Sequence, residues 1–418
     1  MLEIPTFAVP ERLSLTNGIP LHVLRSECQP AVRVDVVVGS GQAVQDKLLQ
    51  ALFTNRLLRE GTQNLTSSSI AERLDSLGSW LELSVSMGYS FLTLYALRRC
   101  FQPSCELLRD MLLDSVFPED QLALICANNR NQYLVNSRRG DVVARRLLYT
   151  DIYGERHPCG TFAEVPDFDA VTRDDLLRFY QAHYTADNVS LYLAGDVDDN
   201  VLSVVESCFG NWTTASNSVC GISALCPSIH PEEGPHVPIV RHMSTQAQAS
   251  IRMGCLMMDA GTEDFYRMRV VSTILGGYFG SRLMKRIREE LGYTYGIMSD
   301  LVTNTRQVLF IINSEAVADK AEEVVAEVKV EMDRLCNDLV PDEELTMTRN
   351  YMLGEVCRNY EGPFSLIDAY IYTHTLGMTD EHIPLTVRTA FDITAEQVRD
   401  TACRWLHPDA LHCVEVLP

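Results

Sequence analysis

Apolar positions along this chain switch between a period of two and a period of about 3.6, and the order of switches runs once, pauses and starts again. Residues 32–38 (VRVDVVV) form a β-branched run closed by Gly39 and Gly41, which predicts a strand. Residues 46–59 predict an amphipathic helix, with Leu48, Leu49, Leu52, Phe53, Leu57 and Leu58 on its apolar side and Gly61-Thr62 as its stop. Ser67–Leu77 opens on a serine cluster suited to capping and is helical by period. Trp80–Val85 and Ser90–Leu97 predict a hairpin turning around Gly88. Residues 103–146 are helical in pattern with a break near Pro118, and 188–193 predict a strand followed by a Gly195-Asp196 turn. Residues 213–238 lose the periodicity; Ser, Thr, Asn, Pro and Gly dominate, as in a linker. The pattern then resumes, with strands over 249–257 and 308–312 and helices over 264–275 and 319–335.

The resumption is a repeat. Phe117-Pro118-Glu119-Asp120-Gln121-Leu122 matches Val340-Pro341-Asp342-Glu343-Glu344-Leu345 at an offset of 223, and Tyr153-Gly154 matches Leu376-Gly377 at the same offset. So does Phe168-Asp169 with Phe391-Asp392. TRDDLLRFYQAHYTADNVSLYLAGD from Thr172 then aligns with TAEQVRDTACRWLHPDALHCVEVLP from Thr394. The chain therefore reads as two copies of one α+β module, over 1–214 and 239–418, joined by a linker over 215–238.

One stretch stands out chemically: 274–295, ILGGYFGSRLMKRIREELGYTY. It reads as a Gly276-Gly277 turn, a helical run carrying Leu283, Met284 and Ile287, a stop at Gly292 and the start of a strand. Arg288 lies in the last helical turn and Tyr295 lies seven residues on, past the glycine. A chain that turns back there brings a fixed cation and a phenol together, donors suited to a peptide carbonyl and the oxyanion formed from it. The bland reading of the same residues is an arginine complementing the helix dipole and a tyrosine in a strand.

Composition narrows the class. With 418 residues and 46% apolar content the chain suits a globular protein of two or more domains. A formal net charge of -21 argues against nucleic acid and anionic membrane surfaces as partners. The 13 cysteines include no C-x-x-C pair, which suits free, mostly buried thiols in a reducing compartment. The opening MLEIPTFAVPERLSL has no basic region followed by an apolar one, and no apolar run is long enough to span a bilayer, so a cytoplasmic location is expected.

The duplicated module, with GGYFGSRLMKRIREELGYTYG early in its second copy, resembles the pitrilysin/insulinase-type zinc peptidases, which include the mitochondrial processing peptidase and bacterial two-subunit peptidases. The resemblance covers nearly the whole chain. It implies two modules, each a mixed, mainly antiparallel sheet flanked by helices, facing each other as a clamshell around a cavity. Active relatives carry an H-x-x-E-H motif on the first module's leading helix, two His holding zinc and the Glu activating its water. Anchored on Gly61-Thr62, that motif falls on Leu52-Phe53-Thr54-Asn55-Arg56. Leu52 and Arg56 replace the histidines, Asn55 replaces the base, and the third ligand's place is taken by Gln132. No metal is expected in this chain. His230, His236 and His242, spaced by six in or beside the linker, are expected to be surface residues.

In active relatives an Arg and a Tyr of the second module, after a glycine-rich turn, bind the substrate carbonyl; Arg288 and Tyr295 match them. Tyr293, where many relatives have Leu, competes for the role. Glu82-Leu83 stands where active relatives place Asn-Ala on the substrate-holding edge strand. Together, loss of the zinc half and retention of the Arg/Tyr half imply a non-catalytic subunit. Arg288 and Tyr295 would then serve the zinc site of a homologous partner bearing H-x-x-E-H, with a peptide in the shared cavity and a homodimer open to the chain in isolation. The alternative is a scaffold or interaction protein of the same fold with no part in proteolysis.

Overall fold

The computed structural model of the protein describes residues 7–213, 236–244 and 246–418. Most of the expected linker, and His230 within it, lie outside the described residues. The first half contributes β1 (Glu11–Ser14), β2 (Pro20–Arg25), β3 (Ala31–Val38), β4 (Trp80–Val85), β5 (Ser90–Leu97) and β6 (Val189–Gly195). Its helices are α1 (Gln50–Leu57), α2 (Ser67–Leu77), α3 (Phe101–Leu113), α4 (Glu119–Asn136), α5 (Gly140–Tyr153), α6 (Asp167–Ala170), α7 (Arg173–His183) and α8 (Asp199–Phe209). The second half contributes β7 (Ile239–His242), β8 (Ala249–Asp259), β9 (Thr294–Val302), β10 (Gln307–Ala316) and β11 (His412–Leu417). Its helices are α9 (Glu263–Ser272), α10 (Ala321–Asn337), α11 (Asp342–Asn359), α12 (Pro363–Thr375), α13 (His382–Asp392) and α14 (Ala395–Trp405).

The strands form two sheets, ordered β1-β2-β6-β3-β5-β4 and β7-β11-β8-β10-β9. From β2 onward the first order is the second, strand for strand. The parallel pair β2/β6 answers to β7/β11, and the remaining pairs of each sheet are antiparallel. The repeat in sequence is thus a repeat in topology. Local signals agree: Thr172 and Thr394 each close a capping box, with Asp175 and Gln397. Pro118 and Pro341 each cap a helix of 18 residues.

Each sheet is covered on one face by its own helices and on the other by a helix of the opposite half. Period two explains how the unbroken run in β3 serves both faces. Val32, Val34, Val36 and Val38 pack into the first half's core, while Val37 joins Tyr192, Ala194, Ile367, Tyr370 and Ile371 under α12. In return α5 lays Val143, Ala144, Leu148 and Ile152 on Leu256, Leu309, Val414 and Val416 of the second sheet. Gly140, the first residue of α5, is required there: a Cβ would come within 2.8 Å of Ser250 Oγ on β8.

Several expected boundaries move. The helix expected over 46–59 starts at Gln50, because the Gln50 side chain accepts from Asp46 N (2.9 Å) and Lys47 N (3.4 Å) and Leu49 takes a left-handed φ of 71°. The span 103–146 holds a second break, over 137–139, besides the one at Pro118. Gly276 and Gly277 do not open a turn; they end a π-helical segment, Thr273–Gly277, that continues α9. Gly276 lets β9 approach, since a Cβ would meet Ser299 N at 2.6 Å. The cysteines among the described residues are free, but fewer are buried than expected: Cys105, Cys159, Cys208, Cys255 and Cys413 are, whereas Cys28, Cys357 and Cys403 are exposed.

Candidate functional site

The helical run before Gly292 is a π-helical segment, Met284–Glu290. It buries Leu283, Met284 and Ile287 and is clamped to its own half by two arginines. Arg282 makes a two-pronged pair with Glu344 of α11, both bonds 2.9 Å, and Arg286 pairs with Glu327 of α10 at 2.8 Å. Arg288, next along the same segment, forms no ion pair among the described residues; its guanidinium lies over the ring of Phe279, 4.4 Å from the centroid. Gly292 takes φ +67°, which lets the Tyr293 N–H return to Ile287 O at 3.0 Å and ends the helix.

Tyr295 follows on β9, at the open edge of the second sheet. Thr294 faces Ala316 and Ile297 faces Ser314, so β9 holds one more residue than β10 over this interval. That bulge removes Tyr295 from the core face taken by Ile297 (1% exposed) and Ser299 (4%), and leaves it 88% exposed. Tyr293 instead packs against the second half's core, with Lys320 Nζ 5.6 Å from its ring centroid. Phe279 and Met298 are exposed as well, and Arg288 is half-buried over the exposed Phe279 ring. Sequence reasoning passed over Phe279, although an aromatic between the glycines of GGYFG was a signal.

The positions of the absent zinc motif do not fit a metal. Asn55 is buried and donates its amide to Phe91 O on β5 (3.3 Å). Arg56 is exposed and bonded to Asn129 Oδ1 of α4, so a fixed cation occupies this place. Leu52 packs at the margin of the first core, and Gln132 is exposed and bonded to Asn136 (3.1 Å). Among the described residues no three His, Cys, Asp or Glu side chains gather as a ligand set. His236 stacks on His412, and His242 bonds to Pro418 O at 3.1 Å.

A groove of two lobes runs along α12, the larger between the halves and the smaller within the second half. The larger, about 1020 Å³, takes Glu82 and Ser84 from the edge strand β4, Arg33 and Asp35 from β3, and His374 from α12. The smaller, about 540 Å³, lies among α9, Gly277, β9, α11, α12 and α13, and Met298 borders it. Asp368 and Tyr372 line both. Arg288 and Tyr295 stand outside this lining. At the junction Arg33 grips Asp35 with two 2.8 Å bonds, Asp368 at 2.5 Å and Phe364 O at 3.1 Å, tying α12 to the first sheet. Burial pushes the Asp35 carboxyl up, against the pull of Arg33 and the Thr93 hydroxyl.

Comparison with known proteins agrees with this architecture. The family described as Peptidase M16 inactive domain matches residues 170–352. The uncharacterized zinc protease YmxG of Bacillus subtilis is 23% identical over 357 residues, 84% of each chain, and an uncharacterized zinc protease of Rickettsia felis is 23% identical over 352. The crystal structure of a peptidase M16 inactive domain from Pseudomonas fluorescens superposes with a TM-score of 0.85, 20% identity and 98% of each chain covered. A protease from Helicobacter pylori gives 0.87 with 15% identity, covering 98% of this chain and 100% of that one. The chain is thus similar to the M16, pitrilysin/insulinase-type, peptidases over residues 170–352 and in its overall fold, consistent with a non-catalytic member; Leu52, Asn55, Arg56 and Gln132 are the residues it carries at the expected zinc-site positions.

Proposed function

We propose that this protein is the non-catalytic subunit of a two-chain zinc peptidase, supplying Arg288 and Tyr295 to a homologous partner that bears H-x-x-E-H. One observation carries the reading. Two arginines of the 282–288 stretch are held by carboxylates, while Arg288 keeps its guanidinium unpaired among the described residues on an exposed ring, and a bulge leaves Tyr295 exposed to solvent. Uncompensated donors on a surface suit a site completed by another chain. The partner contributes zinc, water and base; Arg288 and Tyr295 bind the scissile carbonyl and stabilise the oxyanion that develops on it. Such donors act more strongly once a partner and substrate exclude water from around them.

The test is affinity capture of the protein from its native extract with mass identification of what accompanies it. The account expects a near-stoichiometric homologue bearing H-x-x-E-H. Recovery of the chain alone, or with unrelated proteins only, contradicts it and favours a scaffold role for the same fold.

A further inference from the structure

The smaller lobe of the groove holds a second arginine whose charge is unanswered. Arg269 stands on α9, one turn before the π segment that ends at Gly277. Its Nη1 donates to the Thr386 hydroxyl of α13 at 3.2 Å. Among the described residues its Nε and Nη2 meet no acceptor, and that Nε–Nη2 edge is the fork that matches a carboxylate. Of the acidic groups lining the same lobe, Asp368 is paired with Arg33, Glu355 is paired with Arg358 at 2.9 Å, and Asp300 accepts a backbone N–H, that of Leu301, at 2.7 Å.

The other walls mix aromatic and hydroxyl-bearing side chains with aliphatic ones such as Met352 and Val356. Phe265, Tyr360 and Tyr372 surround the lobe with Ser272, Thr273 and Ser299. His382, packed against Tyr266, has its pKa pulled down to about 3 by burial and then by Arg269, so it is neutral at ordinary pH and adds no competing charge. A volume of about 540 Å³ lies in the range of about 300–1,000 Å³ usual for ligand sites. The lobe also opens beside Met298 and Asp300 of the edge strand β9 and joins the larger lobe through Asp368 and Tyr372.

The geometry points to a carboxylate subsite: Arg269, steadied by Thr386, binds the carboxylate of a peptide lying in the groove. The inference rests on the proposed function and adds to it that the peptide handled at Arg288 and Tyr295 extends into this groove. The carboxylate is a chain terminus or an acidic side chain, and the two sources are separable. Isothermal titration of the full chain, without any partner, uses N-acetyl-Ala-Ala-Tyr as free acid and as amide, and N-acetyl-Ala-Glu-Ala-amide beside its Gln counterpart.

The expected result is that one or both acids bind roughly 10- to 100-fold more tightly than their neutral twins, the worth of one charge-assisted contact. Preference for the free acid alone identifies a terminus; preference for the Glu peptide as well identifies any carboxylate. Arg269→Met removes the preference and Arg269→Lys retains part of it, each with an unchanged melting curve. Equal binding of acids and neutral twins, no saturable binding of any of the four, or a preference surviving in Arg269→Met overturns the inference. Since the titration needs neither partner nor cleavage, its outcome is separable from the fate of the Arg288/Tyr295 assignment.

Discussion

The Arg288 guanidinium lies 4.4 Å from the centroid of the Phe279 ring, and Phe279 is itself 62% exposed. A large apolar side chain left in water contributes little to the core, so its value lies in what it supports. We expect Phe279→Leu to leave the melting temperature unchanged while lowering kcat of the assembled complex about two- to fivefold, as loss of a cation–π contact of roughly 0.5–1 kcal/mol implies. Steady-state kinetics with KM and kcat separated make the check. An altered melting temperature with unaltered kcat assigns Phe279 to packing.

Arg33 and Asp35 sit on the β3 face that α12 covers, and both are buried, at 3% and 1% exposure. Asp35→Ala strands a buried guanidinium and should destabilise the fold by roughly 3–5 kcal/mol. The Asp368 side chain is 61% exposed, so Asp368→Ala should cost less than about 1 kcal/mol. Denaturant titration of both variants measures the difference, and equal losses would refute the account of this latch.

His22 of β2 stacks on Tyr192 (centroids 4.6 Å apart) and lies 4.8 Å from the His374 ring of α12. Burial first, then the charges of His374 and Arg12, pull its pKa down to about 4, with Asp380 opposing. A depressed folded value means that this group's contribution is complete above the ordinary histidine pKa of about 6.5. It is lost progressively as pH falls toward about 4. His382, pulled down to about 3, acts in the same direction. Stability should therefore drop on going from pH 7 to 4.5, and His22→Phe, which keeps the stack, should recover on the order of 1–3 kcal/mol at the lower pH. Urea midpoints at the two pH values decide it.

Arg56 places a cation at the position where the second histidine of active relatives is expected to fall, and Asn55 is turned into the core. The purified chain should hold no stoichiometric zinc, and its melting temperature should not move on dialysis against a chelator. Elemental analysis with differential scanning fluorimetry checks both.

Much of this fold was legible because its signals are local. The hairpin Trp80–Val85/Ser90–Leu97 is found over those same residues, since alternation and the Gly88 turn specify it without tertiary help. The repeat was legible through capping residues: Thr172 and Thr394 sit at helix starts whatever packs above them. The exchange of α5 and α12 was not legible, because an apolar helical face does not name the sheet it will cover. Nor was the left-handed Leu49, whose conformation follows from the Gln50 side chain bonding back to Asp46 and Lys47.

At the candidate site the residue types and spacing of Arg288 and Tyr295 could be read, but not what presents them. The π-helical register of Met284–Glu290 is a backbone hydrogen-bond choice within the segment, and the extra residue of β9 is one made against β10. One side chain more or less in the strand decides whether Tyr295 faces core or solvent, and periodicity alone places it on the core side with Ile297.

The most direct test is peptide hydrolysis by a reconstituted complex of this chain with the proposed H-x-x-E-H partner, comparing Arg288→Ala with the unaltered chain at saturating substrate. The account predicts that kcat falls by about 10²–10³, the effect of losing one oxyanion donor, while assembly is unchanged. Unaltered kcat in a fully assembled Arg288→Ala complex would contradict it.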